Sequence, residues 1–361
     1  MKNTIFEDLF VLELANNHWG NIERGKKIIT DFSRIIRFNN VRTAIKLQFR
    51  DVDTFVHEDF KGRDDIRYIN KTLQTKMSYD DYTVLTEAIK KSGAITISTP
   101  FDEVSVDVCV NLGIDIIKIA SSDINDWVLI EKIAKTRKPA IFSTGGSSLK
   151  DIDDIVKFFD NRNIPLAINH CVSLYPSEKY ELELNQIDFL KNRYPGHIIG
   201  FSTHERNEDI ESAMLIAYAK GARTFERHVD IEYDDDKEMS PYCSAPSDID
   251  RWMKAYQKAK ELCGSSGELK RIPPKREIEY LNDLVRGVYA RHNLKKGDVL
   301  TDEDVYLAIP LQKGQISCRE LMNGEVLLKP VKKDAPIKID DIDSPYAYNE
   351  SLRKKICERG L

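Results

Sequence analysis

A (β/α)8, or TIM, barrel followed by a small, mostly-β domain is the fold this sequence predicts, and three observations predict it. Eight short apolar runs recur through roughly the first 265 residues. Each is followed by a longer segment of amphipathic, helical character. Beyond a stretch rich in Gly, Ser and Pro, the texture changes to brief strands and turns.

The runs are FVLELA (10–15), TAIKLQF (43–49), AITISTPF (94–101), IIKIAS (116–121), PAIFSTG (139–145), PLAINHC (165–171), IIGFSTH (198–204) and ARTFERHV (222–229). Continuous β-branched runs suit strands buried on both faces. The helical segments between them include NIERGKKIITDFSRIIRF, YDDYTVLTEAIKKSG, WVLIEKIAKTRK, LKDIDDIVKFFDNRN and EDIESAMLIAYAKG, and a last one, DIDRWMKAYQKAKELCGSSG, closes the series. A doubly wound open sheet is the competing fold. Eight strand–helix units favour the closed barrel.

Residues 1–264 are therefore expected to form the barrel and 265–281 a linker, from CGSSGELKRIPPKRE. A second domain is expected over 282–345, from VRGVYARHNLKKGDVLTDEDV and NGEVLLKPVKKDAPIKIDDID. Residues 346–361 form a tail, frayed or docked.

Composition narrows the partners. The 361 residues are 41% hydrophobic and 31% charged, with a net charge of −5. No basic block stands out, so nucleic acid and anionic membrane are poor partners. The N-terminal MKNTIFEDLFVLELANNHWG lacks the features of a signal peptide, and no run approaches the ~18 apolar residues of a membrane span. The six cysteines are scattered, without a CxxC, and read as reduced thiols of a cytoplasmic protein.

In such a barrel, functional side chains project from the C-terminal ends of the strands. Those ends carry Glu13 and Asn17, Lys46 and Gln48, Ser98 and Thr99, and Lys118 and Ser121. The remaining four carry Ser143 and Thr144, His170 and Ser173, Ser202 and His204, and Glu226 and His228. Two lysines with a set of hydroxyls suit a small, multiply charged anion such as a phosphate. There is no Walker loop, and STGGSS (143–148) is not a dinucleotide fingerprint, which disfavours a nucleotide. His204 and His228 end consecutive strands and could share a divalent metal. GARTFERHVDI (221–231) is notable because Glu226, Arg227 and His228 follow one another in a core strand. Glu226 and Arg227 could form a buried ion pair under the mouth.

At these residues the chain resembles the bacterial sialic acid (N-acetylneuraminate) synthase family. The resemblance is carried by VLELANNHWGNIERGKKII, AIKLQF, ISTPFDEVSVD, IKIASSDINDWVLIEKIAKTRKPAIFSTG, NHCVSLYPS, IGFSTHE and FERHVDI, in that order. VRGVYARHNLKKGDVLTDEDV resembles the family's antifreeze-like (SAF) domain. The resemblance implies condensation of phosphoenolpyruvate (PEP) with an aldose, typically N-acetylmannosamine, to give a 3-deoxy-2-ulosonic acid and phosphate. It further implies a divalent ion, Mn²⁺ foremost and otherwise Mg²⁺ or Co²⁺, and a domain-swapped homodimer. By the same resemblance PEP would be held by Lys46, Thr99, Lys118, Ser121, Ser143, Ser173 and Ser202. His204 and His228 would hold the metal, Glu13, Gln48 and Tyr175 would face the sugar, and Glu13, Asp123 and Lys118 would serve the chemistry.

Three departures concern the acceptor side. Asp123 stands where the family usually has Glu. The loop after His228 is IEYDDDKEMSPYCS rather than a Pro-Gly-Pro-Asp-like run, and its DDDKE (234–238) is expected to be a solvated loop, or else a lid. The SAF stretch AIPLQKGQISC lacks the arginine of an RPG motif. Rival readings are a PEP- or sugar-binding protein without turnover and a metal-dependent hydrolase. Among the bland readings, His170 is a satisfied core histidine, His18 a loop residue or a ligand contact, and Lys46 and Lys118 partners of Glu13 and Asp123 in an empty barrel.

Overall fold

The computed structural model describes all residues except 1–3, 64, 234–236, 265, 266, 268 and 323. Two compact units divide the chain, Met1–Gly264 and Ser265–Leu361.

In the first unit eight strands close a barrel in sequential order: β1 (Leu9–Ala15), β2 (Thr43–Phe49), β3 (Ile95–Pro100), β4 (Ile116–Ile119), β5 (Ala140–Ser143), β6 (Leu166–Cys171), β7 (Ile198–Thr203) and β8 (Thr224–His228). Neighbours are parallel throughout, and β8 returns to pair with β1. The principal helices lie between them, from Ile22–Asn39 after β1 to Pro246–Cys263 after β8. Local chemistry starts and stops these helices. Ser78 and Ser148 each open one with a reciprocal capping box, and the Asp102 and Asp126 side chains cap two more. Gly93 and Gly221 end two helices in the left-handed region, at φ 85° and 106°, where a Cβ is costly. The connection after β2 adds short helices, Val52–Phe55 and Arg67–Gln74.

Period-two alternation sorts the strand residues. One set faces the helices and makes the main core, including Phe10, Leu12, Ile45, Leu47, Ile117, Phe142, Ile168 and Phe225. The other set faces the barrel axis. Its lower part is an apolar plug of Leu9, Val11, Ala44, Ile97, Ile116, Ile141 and Ala167 with Phe6, all fully buried. Each large member contributes ~1.5–3 kcal/mol of burial. Higher up, the same inward positions become Glu13, Lys46, Lys118, Ser143, Asn169, Ser202 and Glu226, all buried. The plug makes the barrel stable, and that stability lets the upper layer be polar.

The second unit has two small antiparallel pairs, β9 (Gly287–Ala290) with β10 (Val305–Ala308) and β11 (Val326–Leu327) with β12 (Ile342–Asp343). Val288, Ile316, Leu327, Ile337, Ile339 and Ile342 form its core. The segment expected as linker carries a helix, Lys275–Asn282, and its residues 265, 266 and 268 lie outside the described ones. The tail is docked. Helix Glu350–Glu358 buries Ile356 in the small core, and Arg359 pairs with Glu320.

Candidate active site

Glu226, Arg227 and His228 are not one ion-paired group. Strand alternation sends Glu226 and His228 toward the axis and Arg227 outward. There Arg227 is fully buried against Glu205, 3.1 Å away, and donates to the Glu205 carbonyl at 2.7 Å and to Asn207 Oδ1 at 3.0 Å. Glu226 instead joins the two lysines. Lys46 Nζ donates to Glu226 Oε1 at 2.9 Å and also binds Glu13. Lys118 Nζ lies 3.9 Å from the same Glu226 oxygen, and Ser202 Oγ donates to it at 3.2 Å. The bland alternative, a pairing of Lys118 with Asp123, is not found, because the register places Glu226 deep in the barrel and Asp123 in a turn above β4.

The charges settle accordingly. Burial pushes the Glu226 carboxyl up, but Lys118 and Lys46 outweigh it and hold the group down at about 2. Glu13 is pushed up, by burial first and by the nearby Glu226 as well, against Lys46. Burial pulls Lys46 down, yet its two carboxylates raise it overall, whereas Lys118 is lowered by burial. One carboxylate thus stays ionised and the other is inclined to hold a proton, leaving the floor of the mouth positive.

Beside this floor is a cradle. Lys118 Nζ donates to Ser143 Oγ at 2.7 Å. The Gly145 N–H donates to Ser121 Oγ at 3.2 Å. A Cβ on Gly145 would lie 2.1 Å from Ser173 Oγ and 2.9 Å from Ser121 Oγ. Ser121, Ser173 and the Gly145 backbone therefore converge on one small space. Thr99 Oγ1 is buried without a hydrogen-bond partner. This is a donor-rich lining of the kind an oxyanion needs.

Across the mouth the two imidazoles meet, with ring centroids 5.4 Å apart. His204 Nδ1 lies 2.9 Å from the Val172 carbonyl, so it carries the proton and leaves Nε2 as a lone-pair donor. Burial holds His204 neutral, down to about 4, and lowers His228 well below its ordinary value. The Tyr175 ring lies tilted 4.1 Å from that of His204 and edge-on 5.9 Å from that of His228, with Tyr242 5.3 Å from Tyr175. Two neutral imidazoles suit a divalent ion, and no group of three or more His, Cys, Asp or Glu able to hold one occurs among the described residues.

Gln48 Nε2 donates to Glu13 Oε1 at 3.2 Å, and Asp123 keeps its Oδ2 unpartnered above the mouth. His170 lies outside the barrel, its Nε2 on the Leu182 carbonyl at 2.7 Å and its ring stacked on Phe201. That is the core-histidine reading. His18 accepts the Gly20 N–H at Nδ1, 3.0 Å away. The acidic DDDKE loop lies partly outside the described residues. Sequence reasoning missed Gly145, which lies in plain view within STGGSS; Glu226 stands at the mouth as its strand end implies, but it pairs with Lys46 rather than with Arg227.

All six cysteines are free, and no helix among the described residues is long and apolar enough to cross a membrane.

Comparison with known proteins adds the lineage. The chain is 26% identical to the N,N'-diacetyllegionaminic acid synthase of Campylobacter jejuni, over 94% of this chain and 100% of that protein. A crystal structure assigned as spore coat polysaccharide biosynthesis protein E of Chromobacterium violaceum superposes with a TM-score of 0.88 at 37% identity, covering 93% of this chain and 99% of that one. The N-acetylneuraminic acid (sialic acid) synthetase of Leptospira borgpetersenii, solved in complex with citrate, gives a TM-score of 0.67 at 25% identity, covering 78% and 93%. Residues 285–343 match the SAF domain and residues 40–268 match the NeuB family, so this chain belongs to the NeuB family and carries a SAF domain behind its barrel.

Proposed function

We propose that the chain is a synthase that condenses phosphoenolpyruvate with an aldose to give a 3-deoxy-2-ulosonic acid and phosphate. The observation that carries this reading is the juxtaposition of an anion floor, Lys46 and Lys118 with the Gly145 cradle, and a pair of neutral histidines facing it. The names of the legionaminic acid and sialic acid synthases among its relatives support the same reaction class.

In this reaction C3 of PEP forms a bond to the aldehyde carbon, whose oxygen takes a proton. Water adds at C2 and loses a proton, and phosphate leaves with the electrons of the C2–O bond. Lys118, Ser143, Ser121, Ser173, Ser202 and Thr99 would hold the phosphate and carboxylate of PEP, with Lys46 between them and Glu13. Positive charge develops at C2 as C3 attacks, and a carboxylate nearby stabilises it. Glu13, pushed up by its surroundings, is suited to hold and pass the proton, while Asp123 offers a free carboxylate oxygen above it. Gln48 and Tyr175 would orient the sugar. A divalent ion, Mn²⁺ foremost, would be held by His204 and His228 and supply Lewis-acid polarisation of the aldehyde oxygen.

Phosphate release on mixing the protein with PEP, Mn²⁺ and a panel of N-acylated hexosamines and other aldoses tests the reading. Release with at least one aldose is expected. PEP binding without release under every condition would leave only a binding protein.

A further inference from the structure

Arg50 takes no part in the chemistry above, yet it stands over the mouth. It is the next inward position on the path of β2, after Lys46 and Gln48. At ~3.3 Å per residue its Cα lies about 13 Å beyond that of Lys46. Its guanidinium lies over the Phe101 ring, 3.7 Å from the centroid, with Phe55 at 5.8 Å. The only hydrogen bond of its side chain among the described residues is from Nη1 to Gln48 Oε1, at 3.0 Å, and it forms no ion pair there. Of the carboxylates around it, Glu13 and Asp102 are engaged elsewhere, and Asp123, with one oxygen still unpartnered, forms no ion pair with it. Glu13 binds Lys46 and Gln48. Asp102 accepts the backbone N–H groups of Ser105 and Asp51 at 2.7 and 2.8 Å. Asp123 Oδ1 accepts the Ser122 hydroxyl at 2.7 Å.

The side chain is only partly exposed, so the site holds a largely desolvated guanidinium with most of its donor edge unused. Stacking on Phe101 fixes the plane and leaves that edge to bind in the plane. A neutral hydroxyl could be met by an amide such as Gln48. A planar cation in this place suits a planar or tetrahedral oxyanion, bound through two parallel N–H groups.

We propose that Arg50 selects the acceptor, and that the preferred acceptor is an aldose bearing an oxyanion, a phosphate ester or a carboxylate, at the end remote from its aldehyde. This rests on the synthase reading for the direction of the sugar. With PEP held at the Lys46 level and the reacting carbon next above it, the far end of the acceptor reaches the Arg50 level. The arrangement also supplies an arginine to the acceptor from the barrel itself, in a chain whose 308–318 stretch has none.

The test compares kcat/KM for N-acetylmannosamine, its 6-phosphate and an N-acetylated hexosaminuronate, each with PEP and Mn²⁺. One anionic sugar is expected to exceed the neutral one by about tenfold or more, and which of the two does so separates phosphate from carboxylate. In Arg50→Gln that ratio should fall toward one. Arg50→Lys should restore part of it, because it keeps charge without the fork. KM for PEP is read in the same assays. Preference for the neutral sugar in the unmodified protein overturns the proposal. So does a ratio that survives in Arg50→Gln, or an equal loss with all three sugars, which would make Arg50 a support for Gln48 only. Calorimetric binding of the same three sugars to the PEP-saturated, metal-free protein is measured in parallel. Absence of turnover with every sugar sinks the synthase reading, and the Arg50 dependence of anionic-sugar binding still decides this one.

Discussion

Lys46 donates to Glu226 across 2.9 Å inside the barrel, so the free mouth already contains an anion in contact with its principal cation. An incoming phosphate or carboxylate must share both lysines with it. Glu226→Gln keeps the shape and the contact with Lys46 but removes the charge. The floor then becomes more positive, and PEP should bind more tightly in the absence of metal, by up to about tenfold, or ~1.4 kcal/mol. Stability should fall at the same time, because buried Lys46 keeps only Glu13 as counter-charge. Titration calorimetry and thermal melts of the two proteins provide the test. Weaker PEP binding in the variant would mean that Glu226 helps to build the anion site rather than competing for it.

His204 and His228 share no third protein ligand among the described residues, so each is irreplaceable if they hold the ion. His204→Ala and His228→Ala should each abolish turnover and lower Mn²⁺ affinity by about a hundredfold or more. Circular dichroism should stay that of the folded barrel, whose plug lies well below them. Full activity in either single variant would remove the pair from the metal site.

His18 has a consequence for stability. Burial lowers its pKa from 6.5 to about 4. The unfolded chain takes up that proton near 6.5 and the folded one only near 4, so the unfolded state binds more protons across this window. Stability should therefore fall as pH drops from 6.5 toward 4, by up to ~3 kcal/mol from this one group. Asn at position 18 can still accept the Gly20 N–H and does not titrate. Denaturant unfolding at pH 7 and pH 4.5 should show a smaller acid loss in His18→Asn than in the unmodified chain. Equal losses would place the acid sensitivity in His204, His228 or elsewhere.

The strand ends were legible because each apolar run breaks into polarity at one end, and only a closed barrel gives eight such ends a common destination. Lys46, Lys118, His204 and His228 are found where that logic puts them. Glu226 also stands at the mouth, but adjacency in sequence suggests a pairing with Arg227, and period-two alternation separates the two across the wall. Gly145 lies in plain view within STGGSS, but its role does not. Its value lies in the missing Cβ, which matters only when Ser121 and Ser173 are brought to it from β4 and β6. Arg50 sits one residue past the end of a run, and nothing in the sequence says that Phe101 will lie beneath it. The tail's docking likewise rests on Ile356 in the small core and on the Arg359–Glu320 pair, which no period announces.

Gly145 and its neighbour Gly146 separate the cradle from the turn that carries it. Gly145 is not in the left-handed region, so alanine fits its backbone. The new Cβ would meet Ser173 Oγ at 2.1 Å and Ser121 Oγ at 2.9 Å, hydroxyls that can rotate aside, and Ser173 Cβ at 3.1 Å, which must give by a few tenths of an ångström. The fold should therefore lose about 1 kcal/mol or less. The cradle, however, would be filled, and PEP affinity should drop by about tenfold or more. Gly146 is the opposite case. It has φ +70° and open space around its Cβ position. Gly146→Ala should cost roughly 1 kcal/mol of stability through backbone strain while leaving PEP affinity close to that of the unmodified protein. Melts and PEP titrations on the two variants, run side by side, should thus show opposite patterns. If Gly145→Ala binds PEP normally, the phosphate does not sit between Ser121 and Ser173, and Lys46 and Lys118 must hold it elsewhere in the mouth.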